Sequence, residues 1–201
     1  MKKGTIITIA VIVVVALAAV LGVTVFGGNK PADNTPTVPQ GPSIIDPQVT
    51  ADTLGAKQWA AFKAAVEANA NATANELAGK LSEGITEFFC MAQPLEQNTE
   101  YFPGFDNYKI TGFKSASAYM PMIGSIAFVG YVFELEDGTD AATFVNSLKE
   151  NCNPRWNICV TAEQTVVGAI DNRVFFLMCP ENISVEGGDD MDNEGLYDDL
   201  G

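Results

Sequence analysis

The sequence predicts an α+β fold: a two-layer sandwich with a mostly antiparallel sheet, in the order α-α-β-β-α-β-β, behind an N-terminal transmembrane helix. Three observations lead to this prediction. Helical and strand patterns are grouped along the 201 residues instead of alternating one by one. The strand patterns come in pairs with short turns between them, which favours antiparallel neighbours. A charge-free apolar run of membrane-spanning length lies near the start of the chain.

Residues 5–26 form this apolar run, which follows Lys2 and Lys3. As a helix it would span roughly 33 Å, close to the ~30 Å hydrocarbon core of a bilayer. The run exceeds the ~7–15 apolar residues of a secretory signal, and no small-residue cleavage site follows. We expect residues 1–26 to be an uncleaved anchor, with a cleaved signal as the alternative. The preceding lysines place the N-terminus in the cytoplasm and the C-terminal domain outside the plasma membrane.

Two segments of biased composition flank the domain. Residues 27–50 hold five of the ten prolines without apolar periodicity, which is typical of a disordered linker. Residues 181–201 hold eight acidic residues and no basic one, which predicts a disordered, solvated tail. The extracytoplasmic α+β domain is therefore expected over residues 51–180.

Start signals predict the first two helices. Asp52 or Thr53 can cap a helix that places apolar residues on one face at helical spacing. Thr73–Glu76 has the capping-box pattern that opens a second, short helix. Residues 85–92 then predict a strand, or the end of this helix continuing into one. The apolar face of the first helix holds Trp59, Phe62 and Val66.

The first strand pair is predicted at residues 108–120 and 125–136. The turn dipeptide Asp137-Gly138 ends the second of these strands and precedes a helix that runs to about Asn151. The cap of this helix is Thr139 or Asp140. The strand, turn and helix signals follow one another without a long connecting loop.

Residues 157–170 and 173–179 predict a second hairpin, with Asp171-Asn172 as its turn. Alternate residues of these strands form two faces, and both are apolar, whereas a sheet with one wet face would alternate. We expect the second face to be covered by the N-terminal helices or by a partner, either a second copy or an envelope protein. One face holds Val166, Ile170, Phe175 and Leu177, and the other holds Val167, Ala169, Val174, Phe176 and Met178.

Composition excludes several functions. The chain has 25 acidic and 11 basic residues, a net charge of −14, which disfavours nucleic acid as a partner. It has no histidine, which excludes Ser-His-Asp and Cys-His catalytic pairs and histidine-bound zinc. We expect no cofactor and assign no catalytic residue.

Four cysteines, Cys90, Cys152, Cys159 and Cys179, have two open interpretations: buried free thiols or structural disulfides. The stretch CNPRWNIC (152–159) lacks the tight spacing of a redox C-x-x-C motif. The four positions also lack the paired short spacings of a zinc site. We expect CNPRWNIC to be a packed corner of the domain.

The acidic tail contains a partial EF-hand pattern. Asp190, Asp192 and Glu194 match the first, third and fifth ligand positions, and Gly195 matches the turn glycine. The twelfth position is Gly201 instead of a bidentate glutamate. These residues are therefore weak candidates for Ca²⁺ binding, and no metal site is assigned.

Three stretches carry a resemblance to a protein family: residues 119–148 with their Met-Pro-Met-Ile, residues 154–159, and residues 172–180 with their Phe-Phe-Leu-Met. Over about residues 108–180 the chain resembles uncharacterised envelope proteins of Firmicutes that carry a domain of unknown function behind an anchor or lipoprotein signal. The chain departs from them in lacking a lipid-attachment cysteine and in the CNPRWNIC insert. The resemblance implies a bacterial, extracytoplasmic protein and transfers no catalytic residue.

The function predicted from these observations is non-catalytic binding or assembly at the cell envelope, with residues 5–26 in the membrane. A second interpretation is an envelope hydrolase or thiol-dependent enzyme that uses Cys159 or a carboxylate pair. A third is a tail that binds calcium weakly.

Overall fold

The computed structural model describes residues 42–122, 125–157 and 159–183. The chain divides into residues 1–38 and residues 39–201, and all of the described residues belong to the second unit. The predicted anchor at residues 5–26 and the calcium candidates Asp190, Asp192 and Glu194 lie outside the described residues. So do most of the predicted linker and all but three residues of the predicted tail.

The described part of the chain folds into an α+β domain in which three helices pack on a six-stranded antiparallel sheet. The sheet has the strand order β1-β5-β6-β4-β3-β2. The helices are Leu54–Ala68 (α1), Ala74–Glu83 (α2) and Ala141–Asn151 (α3). The strands are Ile44–Ile45 (β1), Cys90–Leu95 (β2), Phe113–Pro121 (β3), Val129–Leu135 (β4), Gln164–Ile170 (β5) and Arg173–Cys179 (β6).

The predicted helix caps are confirmed. The Thr53 side chain accepts a hydrogen bond from the Ala56 amide at the start of α1. Thr73 and Glu76 form the full capping box of α2. Of the two candidates for α3, Asp140 is the cap. Each side chain satisfies an amide that the first turn of a helix leaves without a backbone partner.

The two apolar faces of the second hairpin are also confirmed. Asp171 adopts a left-handed backbone (φ 52°), which suits a tight turn, and β5 and β6 pair on either side of it. Val166, Phe175 and Leu177 lie in one buried cluster with α1 and α2. Val167, Phe176 and Met178 lie in a second cluster with α3. The N-terminal helices α1 and α2 thus cover one apolar face of the hairpin. This was one of the two expected alternatives, the other being cover by a partner.

The architecture differs from the predicted two-layer sandwich because helices lie on both faces of the sheet. Two strands were also missing from the predicted order. Ile44–Ile45, placed in the linker by sequence, pair with β5 and form one sheet edge. Cys90–Leu95, at the position of the ambiguous strand signal, pair with β3 and form the other. Neither strand shows a clear periodicity in the sequence, because the first has only two residues and the second has no apolar alternation.

Tyr119 and Gly130 form the closest contact inside the sheet. The Tyr119 ring lies directly over Gly130 on the neighbouring strand, and a Cβ at that glycine would occupy the position of the ring. The ring is fully buried on the α1/α2 side, and its hydroxyl has no hydrogen-bond partner among the described residues. The glycine is required for this close approach.

A polar group near the start of β3 is also held in place. Glu134 accepts hydrogen bonds from the Lys114 ammonium (2.9 Å) and from the Ser115 hydroxyl (3.1 Å). Partial burial opposes ionisation of this carboxyl, but the bonds from Lys114 and Ser115 outweigh burial and lower its pKa.

Candidate binding surface

The α3-side face of the sheet is covered only in part. Helix α3 packs against β5 and β6. The loop that connects β2 to β3 lies over the middle strands through Phe102, Phe105 and Ile110, all of which are buried in the α3-side cluster. Neither element supplies a described lining residue to the cleft at the corner where β2 begins and β3 ends.

Four apolar residues remain at this corner: Phe89, Met91, Met120 and Met122. We call this set the uncovered corner. Met91 lies opposite Met120 in the register of β2 and β3. Phe89 and Met122 line the same cleft of about 220 Å³. Phe89, Met122 and Met91 are 69, 66 and 46% exposed, whereas Met120 is half-buried.

The neighbouring Phe88 differs from Phe89 in burial. The chain bends at residues 87–88, just before β2 begins. Phe88 packs on the α1/α2 side, with its ring 5.2 Å from that of Phe128 in an edge-to-face contact. Phe89 lines the same cleft of about 220 Å³ but is left exposed.

A larger cleft of about 480 Å³ adjoins the corner: it shares Met120 with the corner and Pro121 with the smaller cleft. Its walls are mainly apolar, and among its described lining residues there is no carboxylate, lysine or arginine. Tyr101, 58% exposed, lies at this cleft, and burial, reinforced by Asp106, raises the pKa of its phenol. The remaining lining residues are Pro103, Ile126, Phe128, Val129, Trp156, Asn157 and Cys159.

The CNPRWNIC loop forms one wall of this cleft. The Asn153 amide donates to the Gly104 carbonyl (2.7 Å), and the Asn153 side chain donates to Asp106 (3.0 Å). Trp156 is half-buried against the α3-side cluster, while Arg155 is exposed. Asn153 thus joins this loop to the loop between β2 and β3, and Trp156 packs the loop against the domain.

The four cysteines are free thiols at separate places in the fold. Cys179 is buried and Cys90 half-buried on the α1/α2 side, and burial raises the pKa of each thiol to about 12. Burial also raises the pKa of Cys152, which lies at the C-terminal end of α3. Cys159 alone is exposed, in the wall of the larger cleft. Raised pKa values keep the three less exposed cysteines protonated and weakly nucleophilic at neutral pH.

Two kinds of feature are absent from the described residues. Among residues 42–122, 125–157 and 159–183, no group of three or more cysteine, aspartate or glutamate side chains is placed to hold a metal ion. Within the same ranges, no helix combines the length and the apolar character that a membrane span needs.

Comparisons with protein-family models, with curated proteins and with solved structures found no match.

The uncovered corner was not predicted from the sequence, although its residues belong to two segments that the sequence analysis describes. Met120 and Met122 belong to the Met-Pro-Met-Ile segment, and Phe89 and Met91 to the ambiguous strand at residues 85–92. The available signal was two short segments without charges, residues 88–92 and residues 120–123. That signal does not show which part of the face α3 and the connecting loops leave open.

Proposed function

We propose that this chain is a single-pass protein of the bacterial envelope whose extracytoplasmic domain binds another envelope protein without catalysis, through the uncovered corner. The observation that carries the proposal is the clustering of Phe89, Met91 and Met122, three of the five exposed large hydrophobics among the described residues. The anchor at residues 5–26 and its orientation rest on the apolar run and the preceding lysines.

The energetics of the corner suit binding. Full burial of a Phe or Met side chain contributes about 1.5–3 kcal/mol relative to exposure. Phe89 and Met122 are about two-thirds exposed, so a partner that covers them would gain roughly 1–2 kcal/mol from each. Methionine side chains are flexible and polarisable, and they adapt to differently shaped partners. An apolar cluster of this kind on a protein surface is typical of an interaction site.

The chemistry of the adjoining cleft favours binding over turnover. Cys159 is the exposed thiol, but the described lining residues offer no carboxylate or amine to activate it. The Tyr101 phenol has a raised pKa and stays protonated at neutral pH. The walls provide apolar and aromatic contact, as in surfaces that bind peptides.

The proposal is tested by purification of the full chain in mild detergent from cells that make it naturally. The wild type is compared with a Phe89→Ser/Met122→Ser variant and with a control, Glu67→Ser/Glu150→Ser, whose exposed positions lie on α1 and α3. We expect the same protein to co-purify with the wild type and the control and to be lost from the corner variant. A partner retained by all three chains, or by none, contradicts the proposal.

A further inference from the structure

Strand β2 presents an open edge next to the uncovered corner. It is the last strand of the sheet and, among the described residues, pairs with β3 alone. Its six residues, Cys90–Leu95, include no charged side chain. Edge strands are usually protected from pairing with other chains by charges, prolines, bulges or coverage. Pro94 protects one position of β2 in this way because it has no N–H to donate, whereas residues 90–93 carry neither a charge nor a proline.

The charge around β2 has one sign. Exposed glutamates precede the strand (Glu83, Glu87) and follow it (Glu96, Glu100). The sequence contains no lysine or arginine from residue 81 to residue 108. The open edge is therefore an uncharged strip between two acidic ends.

The basic residues of the neighbouring elements have acidic neighbours of their own. On β3, the Lys114 ammonium lies 2.9 Å from Glu134. On α2, Lys80 is close enough to Glu76 to contribute to the lowering of that carboxyl's pKa, after the hydrogen bonds from Thr73. The glutamates at the ends of β2 are left to attract an incoming positive charge.

This arrangement disfavours a second copy as the occupant of the edge. Two copies of β2 paired antiparallel about a twofold axis would bring the Glu87 end of each strand next to the Glu96 end of the other. Like charges on paired strands are destabilising. A strand with an apolar centre and basic ends would instead meet opposite charges at both ends.

We propose that the partner of the uncovered corner is an extended segment of another protein, with alternating apolar residues between basic ends, which adds to β2 as a further strand. This inference rests on the proposed function and specifies its ligand. Main-chain hydrogen bonds to the open edge provide affinity in this mode, while alternate side chains provide specificity. Apolar residues would lie over Phe89 and Met91. Glu87 and Glu96 are nine residues apart, which is at most roughly 30 Å because the chain bends at residues 87–88, so a segment of about ten residues reaches both.

The test uses synthetic peptides and the purified full chain in mild detergent. The probe is a fluorescent decapeptide, Lys-Lys-Val-Thr-Val-Thr-Val-Thr-Lys-Lys, titrated by anisotropy. One control replaces each lysine by glutamate, and a second replaces the central valine by proline, which disrupts an extended ladder. We expect the basic peptide to bind and both controls to bind at least ten-fold more weakly.

The matched variants are Glu87→Gln/Glu96→Gln and Glu150→Gln. Loss of two exposed ion pairs should weaken the basic peptide about two- to thirty-fold and reduce its salt dependence. Glu150 lies on α3, away from β2, and its variant should bind as the wild type does.

Three results overturn the inference: equal binding of the basic and acidic peptides, binding of the proline peptide as tight as that of the probe, or no peptide binding at all. A concentration-dependent dimer that Phe89→Ser abolishes also overturns it, in favour of a second copy. If a natural partner is still lost on Phe89→Ser/Met122→Ser in any of these cases, the proposed function stands. If that variant loses no partner either, both proposals fall.

Discussion

Phe88 and Phe89 are a matched pair of residues. Their substitution tests whether the uncovered corner is available for binding and contributes little to the stability of the fold. They are adjacent and of the same type, and they differ in burial. Phe89 is 69% exposed, so about a third of its side chain is buried. Full burial of a phenylalanine contributes about 1.5–3 kcal/mol, and a third of that is roughly 0.5–1 kcal/mol. Phe89→Ser should therefore lower the free energy of unfolding by about 1 kcal/mol at most.

Phe88→Ser should cost more. The Phe88 ring is half-buried in the α1/α2-side cluster and makes an edge-to-face contact with Phe128, which is buried. Loss of packed ring surface and of the aromatic contact is worth roughly 2–3 kcal/mol. The two variants should thus differ by at least about 1 kcal/mol, although they make the same chemical change at adjacent positions.

Urea denaturation of the purified full chain measures both values, with tryptophan fluorescence as the signal. Trp59 lies in the α1/α2-side cluster and Trp156 lies by the larger cleft, so the signal covers both faces of the sheet. Equal losses for the two variants, or a larger loss for Phe89→Ser, would show that Phe89 contributes to the core. The assignment of the corner as a binding surface would then be wrong.

Three other perturbations test the interior and the thiols. Tyr119→Phe removes a buried hydroxyl that has no partner in the described part of the chain, and it should leave the protein equally stable or stabilise it by about 1 kcal/mol; a loss above ~1 kcal/mol in urea would mean that the hydroxyl is satisfied. Cys159 should be the first thiol to react with a disulfide reagent in the native chain, and the other three should react only on unfolding; a native count of two or more fast thiols would contradict the burial described above. The folded pKa of Glu134 lies below its ordinary value near 4.5, so its stabilisation is present above that pH and is lost as pH falls through the folded pKa. The difference in Tm between wild type and Glu134→Gln should therefore shrink on acidification below about pH 4.5, and a difference that grows there would refute the role of this carboxyl.

Local signals in the sequence predicted much of the fold. The caps at Thr53 and Thr73 and the turn at Asp171 depend on interactions within a few residues, so the sequence contains what is needed to read them. The two apolar faces of the β5–β6 hairpin could be predicted because its alternate residues are apolar on both sides. The cover of the first face followed from the apolar stripe of α1.

The rest depends on long-range packing. Ile44–Ile45 pair with β5, more than a hundred residues away, and two residues carry no period. The corner at Phe89 and Met122 exists because α3 and the β2–β3 loop end before they reach it, which no local pattern encodes. The Tyr119–Gly130 contact likewise requires the register of β3 and β4.

Site-specific photo-crosslinking in the membranes of cells that make the protein tests directly whether the uncovered corner binds another protein. A benzophenone side chain replaces Met122 in the uncovered corner or, as a control, the exposed Glu150 on α3. We expect one discrete adduct from position 122, lost when Phe89→Ser is added, and none from position 150. The same adducts from both positions, or none from position 122 in cells where the protein is made, would contradict it.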